Sequence, residues 1–157
     1  MRIMKRLSNS DVKEINQQLN ESYNLTDFIT KKDVIELEDT TLFINQKAAF
    51  FYLDKKIIPT IKIIMQHESL FPLKKVTVDM GAVKFMVSGA AVMRPGIKEI
   101  DPEIKAGEII AVIDEKNKKI LCLGQALYSA AEIKAMTSGK MIRNIHYVGD
   151  SLWKISV

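Results

Sequence analysis

All seven glycines of this chain sit at positions 81, 89, 96, 107, 124, 139 and 149, each between short apolar runs. Such punctuation leaves no room for a long helix or strand there, because glycine weakens element interiors and is favoured where the chain turns. From residue 76 the chain therefore reads as short strands, two or three helices of one or two turns, and tight turns: a small mixed barrel. "VTVD" is a short buried strand, and "GAVKFMVSG" is a two-turn helix whose inner face is Val83, Met86 and Val87. "AAVM" is a strand. "RPGI" has Pro at i+1 and Gly at i+2, the signature of a type II turn. "DPEIKAGE" offers Asp101 as N-cap, Pro102 at the first helical position and Gly107 as the stop, which predicts a short helix. "EIIAVID" and "ILCLGQALY" predict a hairpin, and "SAAEIKAM" opens with capping-box spacing at Ser129 and Glu132. "GKMIRNIHYVGDSLWKI" predicts a last hairpin that turns at residues 148–151.

The first half has a different period. "SNSD", Ser8 to Asp11, fits a capping box, and Val12, Ile15 and Leu19 then recur at helical spacing. "TLFINQKAAFFYLDKKIIPTIKIIM" is rich in β-branched and aromatic residues, which favours strands, with turns at Asn45-Gln46-Lys47 and Asp54-Lys55-Lys56. Pro59 has no N–H and belongs at an edge or just outside a strand. The polar, proline-marked "QHESLFPLKK" marks a domain boundary. The fold class is thus α+β, with one domain over residues 1–73 and another over 74–157.

Chemistry is scarce. Residues 1–75 and residues 76–157 each carry a net charge of +2, so any anion-binding site is a local patch rather than a basic tail. One cysteine, Cys122, cannot make an internal disulfide, which points to a reducing compartment and a core role. His67 and His146 have no zinc-ligand spacing. No nucleophile elbow, P-loop or dinucleotide fingerprint is present. Asp79, beside Gly81, is better read as a helix cap than as a general base. The sequence start lacks a signal-peptide core and no run approaches membrane-spanning length, so the expected location is the cytoplasm. No cofactor and no metal are expected.

The remaining candidates are small residues and cations. Ser88, Gly89, Ala90 and Ala91 leave the backbone uncovered, as a polynucleotide contact or tight helix-to-strand packing would each require. Lys84 points away from the apolar helix face, and Arg94 stands at the end of the following strand. In "KMIRNIHY", strict alternation puts Lys140 with Ile142, Asn144 and His146 and leaves Arg143 on the opposite face. A bulge could bring Lys140 and Arg143 together. Tyr147 and Trp153 flank the last turn, where a base could stack on either ring; a core role suits an apolar "LWKI" better.

"VDMGAVKFMVSGAAVMRPGI", "AVID", "CLGQALYSAAEI" and "GKMIRNIHYVGDSLWKI" together resemble a PUA domain over roughly residues 75–157. "FFYLD" and "PTIKI", joined to that segment, resemble the malignant T-cell-amplified-sequence family and its archaeal relatives, which place a pre-PUA domain before the PUA domain. The resemblance implies a PUA pseudo-β-barrel, RNA binding without catalysis, and a role on the small ribosomal subunit or tRNA in initiation, reinitiation or recycling. It implies that rRNA or tRNA lies across residues 81–88 and 90–93, with the RNA-binding set Lys84, Ser88, Gly89, Ala90, Ala91, Arg94, Lys140 and Arg143. Arg94 departs from the animal relatives, which carry cysteine before Pro-Gly. Animal relatives act with the density-regulated protein; a protein partner here would be a separate polypeptide, and the chain itself is expected to be a monomer. Two alternatives stay open: an accessory subunit of a tRNA or rRNA modification enzyme, and a protein-interaction module. Arg94→Glu is expected to weaken RNA binding without lowering thermal stability.

Overall fold

The computed structural model describes residues 4–156. They form two compact units: Pro72–Trp153, and the chain before it together with the stretch from Lys154.

The first unit begins with β1 (Lys5–Arg6) and α1 (Asn9–Tyr23). The capping box is present: the Asp11 N–H donates to Ser8 Oγ at 3.2 Å, and the Ser8 N–H donates to Asp11 Oδ2 at 3.0 Å. Ile15 and Leu19 are buried and Val12 is half-buried, so the helical period predicts the inner face. Asn24 ends the helix in the left-handed region, which its short polar side chain tolerates. There follow β2 (Ile35–Glu38), β3 (Thr41–Ile44), β4 (Lys47–Leu53) and β5 (Lys56–Pro59), an antiparallel meander in sheet order β1-β2-β3-β4-β5. Both predicted hairpin turns occur. Asn45-Gln46 and Asp54-Lys55 each put two successive residues at positive φ, the backbone that suits the twist of a two-residue hairpin. Pro59 closes the edge strand β5, where its missing N–H costs no ladder bond.

The strand expectation fails at residues 61–66. This stretch is α2 (Ile61–Gln66), because Thr60 caps it: the Ile63 N–H donates to Thr60 Oγ1 at 3.3 Å. Ile61 and Ile64, three apart, share its buried face. Phe28, Phe50 and Phe71 then meet edge to face with centroids 5.7–6.0 Å apart, the favoured aromatic geometry.

The second unit contains β6 (Lys75–Val78), a 3₁₀ turn at Met80–Ala82, α3 (Val83–Met86), β7 (Val92–Met93), a second 3₁₀ turn at Arg94–Gly96, and β8 (Ile97–Ile100). After it come β9 (Ile109–Asp114), β10 (Ile120–Ala126), α4 (Ala130–Ala135), β11 (Lys140–Tyr147) and α5 (Ser151–Lys154). The sheet order is β7-β11-β10-β9-β6-β8, with β6 and β9 parallel and all other neighbours antiparallel. The six strands make a nearly closed pseudo-barrel. Val76, Val78, Ile110, Val112, Cys122, Ile133 and Ile142 fill it, and Cys122 has no exposed surface. Burial pushes its thiol up to about 12, so it is a core residue and not a nucleophile.

Four local expectations need correction. "RPGI" is a 3₁₀ turn rather than type II, since Gly96 does not take the positive φ that a type II turn demands. "DPEIKAGE" makes two turns instead of a helix: Asp101 Oδ1 accepts from the Glu103 N–H at 2.9 Å, and Ile104 dives into the core. The strand in "AAVM" shortens to Val92–Met93. The last element is β11 followed by α5, not a hairpin. Asp150 accepts from the Tyr147 N–H at 2.9 Å and the Trp153 N–H at 2.7 Å, which turns the chain into a helix.

Candidate nucleic-acid interface

The site begins where β6 ends. Asp79 Oδ1 accepts from the Ala82 N–H at 3.0 Å, so Asp79 is the predicted cap. The 3₁₀ turn and the single turn of α3 together replace the two-turn helix. Met86 is buried, and Val83 and Val87 pack against the core, as the period predicts. Their placement turns Lys84 and Phe85 outward. Phe85 is 54% exposed, and Lys84 Nζ lies 5.2 Å from its ring centroid.

The chain then reverses through Ser88 and Gly89. Ser88 Oγ donates to the Lys84 carbonyl at 2.6 Å. Gly89 has φ +92, and a Cβ on it would stand 3.0 Å from Tyr147 Cε1. Of the two readings of this glycine, the structure supports tight packing: the half-buried Tyr147 ring is its neighbour. Tyr147 packs against the core, whereas Trp153, for which a core role is expected, is half-buried.

A groove of about 510 Å³ opens between α3 and β7. Gly81, Ala82, Ala90, Ala91 and Gly96 keep it low-walled, Phe85 and Met93 supply apolar surface, and Lys140 adds a cation. Of the predicted residues, Ala90, Ala91 and Lys140 therefore line the groove, with Lys84 beside it over Phe85. Ser88, Gly89, Arg94 and Arg143 are not on its walls. Phe85 and Met93 lie outside the predicted set but line the groove; for Phe85 the sequence carries the signal, since with Val83, Met86 and Val87 facing inward Phe85 must face out.

β11 carries two bulges. Lys140 pairs with Met93 and Ile142 with Val92, and Leu123 pairs with His146 while Gly124 pairs with Asn144. The first bulge buries both Met141 and Ile142 and leaves both Lys140 and Arg143 exposed. It resets the alternation that would have separated the two cations. Arg143 Nη2 donates to Gln125 Oε1 at 2.8 Å.

Arg94 is not a free surface cation. It is half-buried, and its Nε–H donates to the Ile133 carbonyl at 2.8 Å. The expectation that Arg94→Glu leaves stability unchanged is therefore corrected. That substitution removes a charge-assisted bond and lowers stability by about 1.5–3 kcal/mol, seen as a lower midpoint in thermal denaturation. Arg94→Lys, which keeps the charge but not the planar fork, is expected to lower the midpoint too.

His146 is buried, with Nδ1 2.8 Å from Asp150 Oδ2. Burial holds its pKa below the usual histidine value, and Asp150 opposes that shift. Among the described residues no cluster of His, Cys, Asp or Glu is arranged to hold a metal ion, and no helix is long and apolar enough to cross a membrane.

A pseudo-barrel with this corner and groove is a PUA domain: residues 74–148 match the PUA domain family. The likeness extends over the chain. It is 41% identical to an uncharacterized protein of Methanocaldococcus jannaschii, covering 98% of each chain. It is 32% identical to translation machinery-associated protein 20 of Saccharomyces cerevisiae, covering 85% of this chain and 78% of that one. Malignant T-cell-amplified sequence 2 of Mus musculus is 31% identical, with 94% and 88% covered. Among solved structures, a hypothetical protein of Pyrococcus horikoshii is 32% identical with a TM-score of 0.75, covering 99% of this chain and all of that one. A conserved PUA domain protein of Thermoplasma acidophilum is 26% identical with a TM-score of 0.73 over the same shares. The chain belongs to the family of malignant T-cell-amplified sequence and translation machinery-associated protein 20.

Proposed function

We propose that this protein is a non-catalytic RNA-binding factor of translation, acting as a monomer on the small ribosomal subunit or on tRNA in initiation, reinitiation or recycling. The observation that carries the reading is the groove: small residues on its walls, an exposed aromatic ring, and Lys84 and Lys140 beside it. Small walls admit a polynucleotide backbone, and cations pair with phosphate. Phe85 offers a face on which an unpaired base stacks, worth about 1–3 kcal/mol. A base stacked inside a duplex has both faces covered, so the reading favours single-stranded ends or loops. The residues that could do chemistry are otherwise engaged: Asp79 in a cap, Cys122 in the core, His146 against Asp150. Likeness to proteins named for the translation machinery, over most of the chain, supports the setting.

The test is co-sedimentation with isolated small ribosomal subunits beside filter binding to bulk tRNA, both across a salt series. Pelleting at moderate salt, or saturable tRNA binding that weakens with salt, is the expected result. Absence of both would overturn the reading. Binding of tRNA alone would narrow it away from the subunit.

A further inference from the structure

The groove's inner corner is tied from behind by a side chain on β11. Asn144, on β11, donates twice from one nitrogen: Nδ2 to the Met86 carbonyl at 2.9 Å and to the Ala90 carbonyl at 3.1 Å. Those carbonyls bracket the reversal at Val87, Ser88 and Gly89. Within it the Ser88 and Ala90 N–H groups both donate to Phe85, and the Gly89 N–H donates to Met86. Three residues further along β11, the Tyr147 ring stands beside Gly89.

Asn144 Oδ1, in contrast, is buried and accepts no hydrogen bond. An unsatisfied buried carbonyl oxygen is unfavourable, and in most native structures such an oxygen finds a donor. A flipped amide would aim that oxygen at two carbonyls, so the orientation follows from the partners. The side chain is held here for its two N–H groups. They cross-link the end of α3 to the approach of β7, and so fix the angle between the wall that carries Lys84 and Phe85 and the wall that carries Ala91 and Met93.

We infer that Asn144 is a positioning residue for RNA: it touches no ligand, but its double hydrogen bond holds the corner at residues 86–90 in the conformation that binds. The inference rests on the RNA-binding reading of the groove. Preorganisation of this kind raises affinity by removing the ordering cost from the binding step, not by adding a contact. Its loss should therefore change affinity without changing the number of phosphates neutralised.

The experiment compares wild type with Asn144→Leu, which keeps the shape without the amide, and Asn144→Ala, in the full chain, with bulk tRNA as probe. Both variants are expected to bind about tenfold more weakly through preorganisation lost, with the log–log salt slope unchanged. Backbone hydrogen exchange without RNA should quicken at Ser88, Gly89 and Ala90 and stay unchanged in β9 and β10. Lys84→Glu serves as the contrast, since it should shallow the salt slope. If wild type binds, Lys84→Glu weakens binding and both Asn144 variants bind like wild type, the positioning role is wrong and the RNA reading stands. If exchange quickens throughout the barrel, Asn144 holds the domain rather than the corner, and the inference falls. If wild type itself fails to bind, the RNA reading fails and takes the inference with it.

Discussion

Reversing the charge of Lys84 and Lys140 together is expected to weaken RNA binding by about two orders of magnitude at low salt. It should also shrink the log–log salt slope by about 2. Both side chains are exposed, and neither forms an ion pair among the described residues, so folding has little stake in them. Their charges are available to phosphate. Lys140 is on the groove wall, and Lys84 stands over Phe85, where a stacked base would bring its own phosphate close. Surface substitutions of this kind usually leave stability within about 0.5 kcal/mol. The check is filter binding over a salt series, with thermal denaturation as the control. A double variant with wild-type affinity and slope would move the RNA path off this groove. Arg143→Glu is a useful companion, because Arg143 is exposed on the same strand but bonded to Gln125 and absent from the groove walls.

Gly124→Ala should lower the stability of the second unit by about 1–3 kcal/mol, the usual penalty of overpacking a filled core. For a domain of that size each kcal/mol moves the thermal midpoint by about 4–8 °C. Gly124 is in β10 beside the second bulge of β11. A Cβ there would collide with Ile142 Cγ2 and stand 3.0 Å from the Arg143 carbonyl. Ile142 has no exposed surface, so its methyl has nowhere to retreat, and the carbonyl is backbone. The strand would have to shift, and β11 carries Lys140 and Asn144. Calorimetry checks the prediction; an unchanged midpoint would mean that β11 yields at little cost.

Much of this was legible because local chemistry and global fold agree. Ser8 with Asp11 and Ser129 with Glu132 form capping boxes in place. Asn45-Gln46 and Asp54-Lys55 turn where their polar side chains ease the positive φ. The failures have local causes too. Ile61 and Ile64 are β-branched, and propensity alone puts them in a strand; one Thr60 hydroxyl at the right offset, after a proline that ends β5, makes a helix instead. Pro102 and Gly107 fit the ends of a helix and fit two consecutive turns equally well. What decides is the burial of Ile104, a tertiary fact. The sequence leaves Arg94 open to RNA because its partner, the Ile133 carbonyl, lies 39 residues away and backbone carbonyls leave no mark in a sequence. The bulge that exposes both Lys140 and Arg143 was foreseeable only as an option, since alternation argues against it.

The pairing of β7 with β11 joins Val92 to Ile142, fifty positions later in the chain. During synthesis one wall of the groove therefore leaves the ribosome well before the other. In that interval α3 and β7 have emerged, but Lys140 does not yet stand on the groove, Gly89 has no Tyr147 ring beside it, and the Met86 and Ala90 carbonyls lack Asn144. A nascent chain at this stage carries the small residues without the surface they build. The groove is therefore completed late in translation, in the same event that closes the domain, and an unfinished copy carries its residues without its shape.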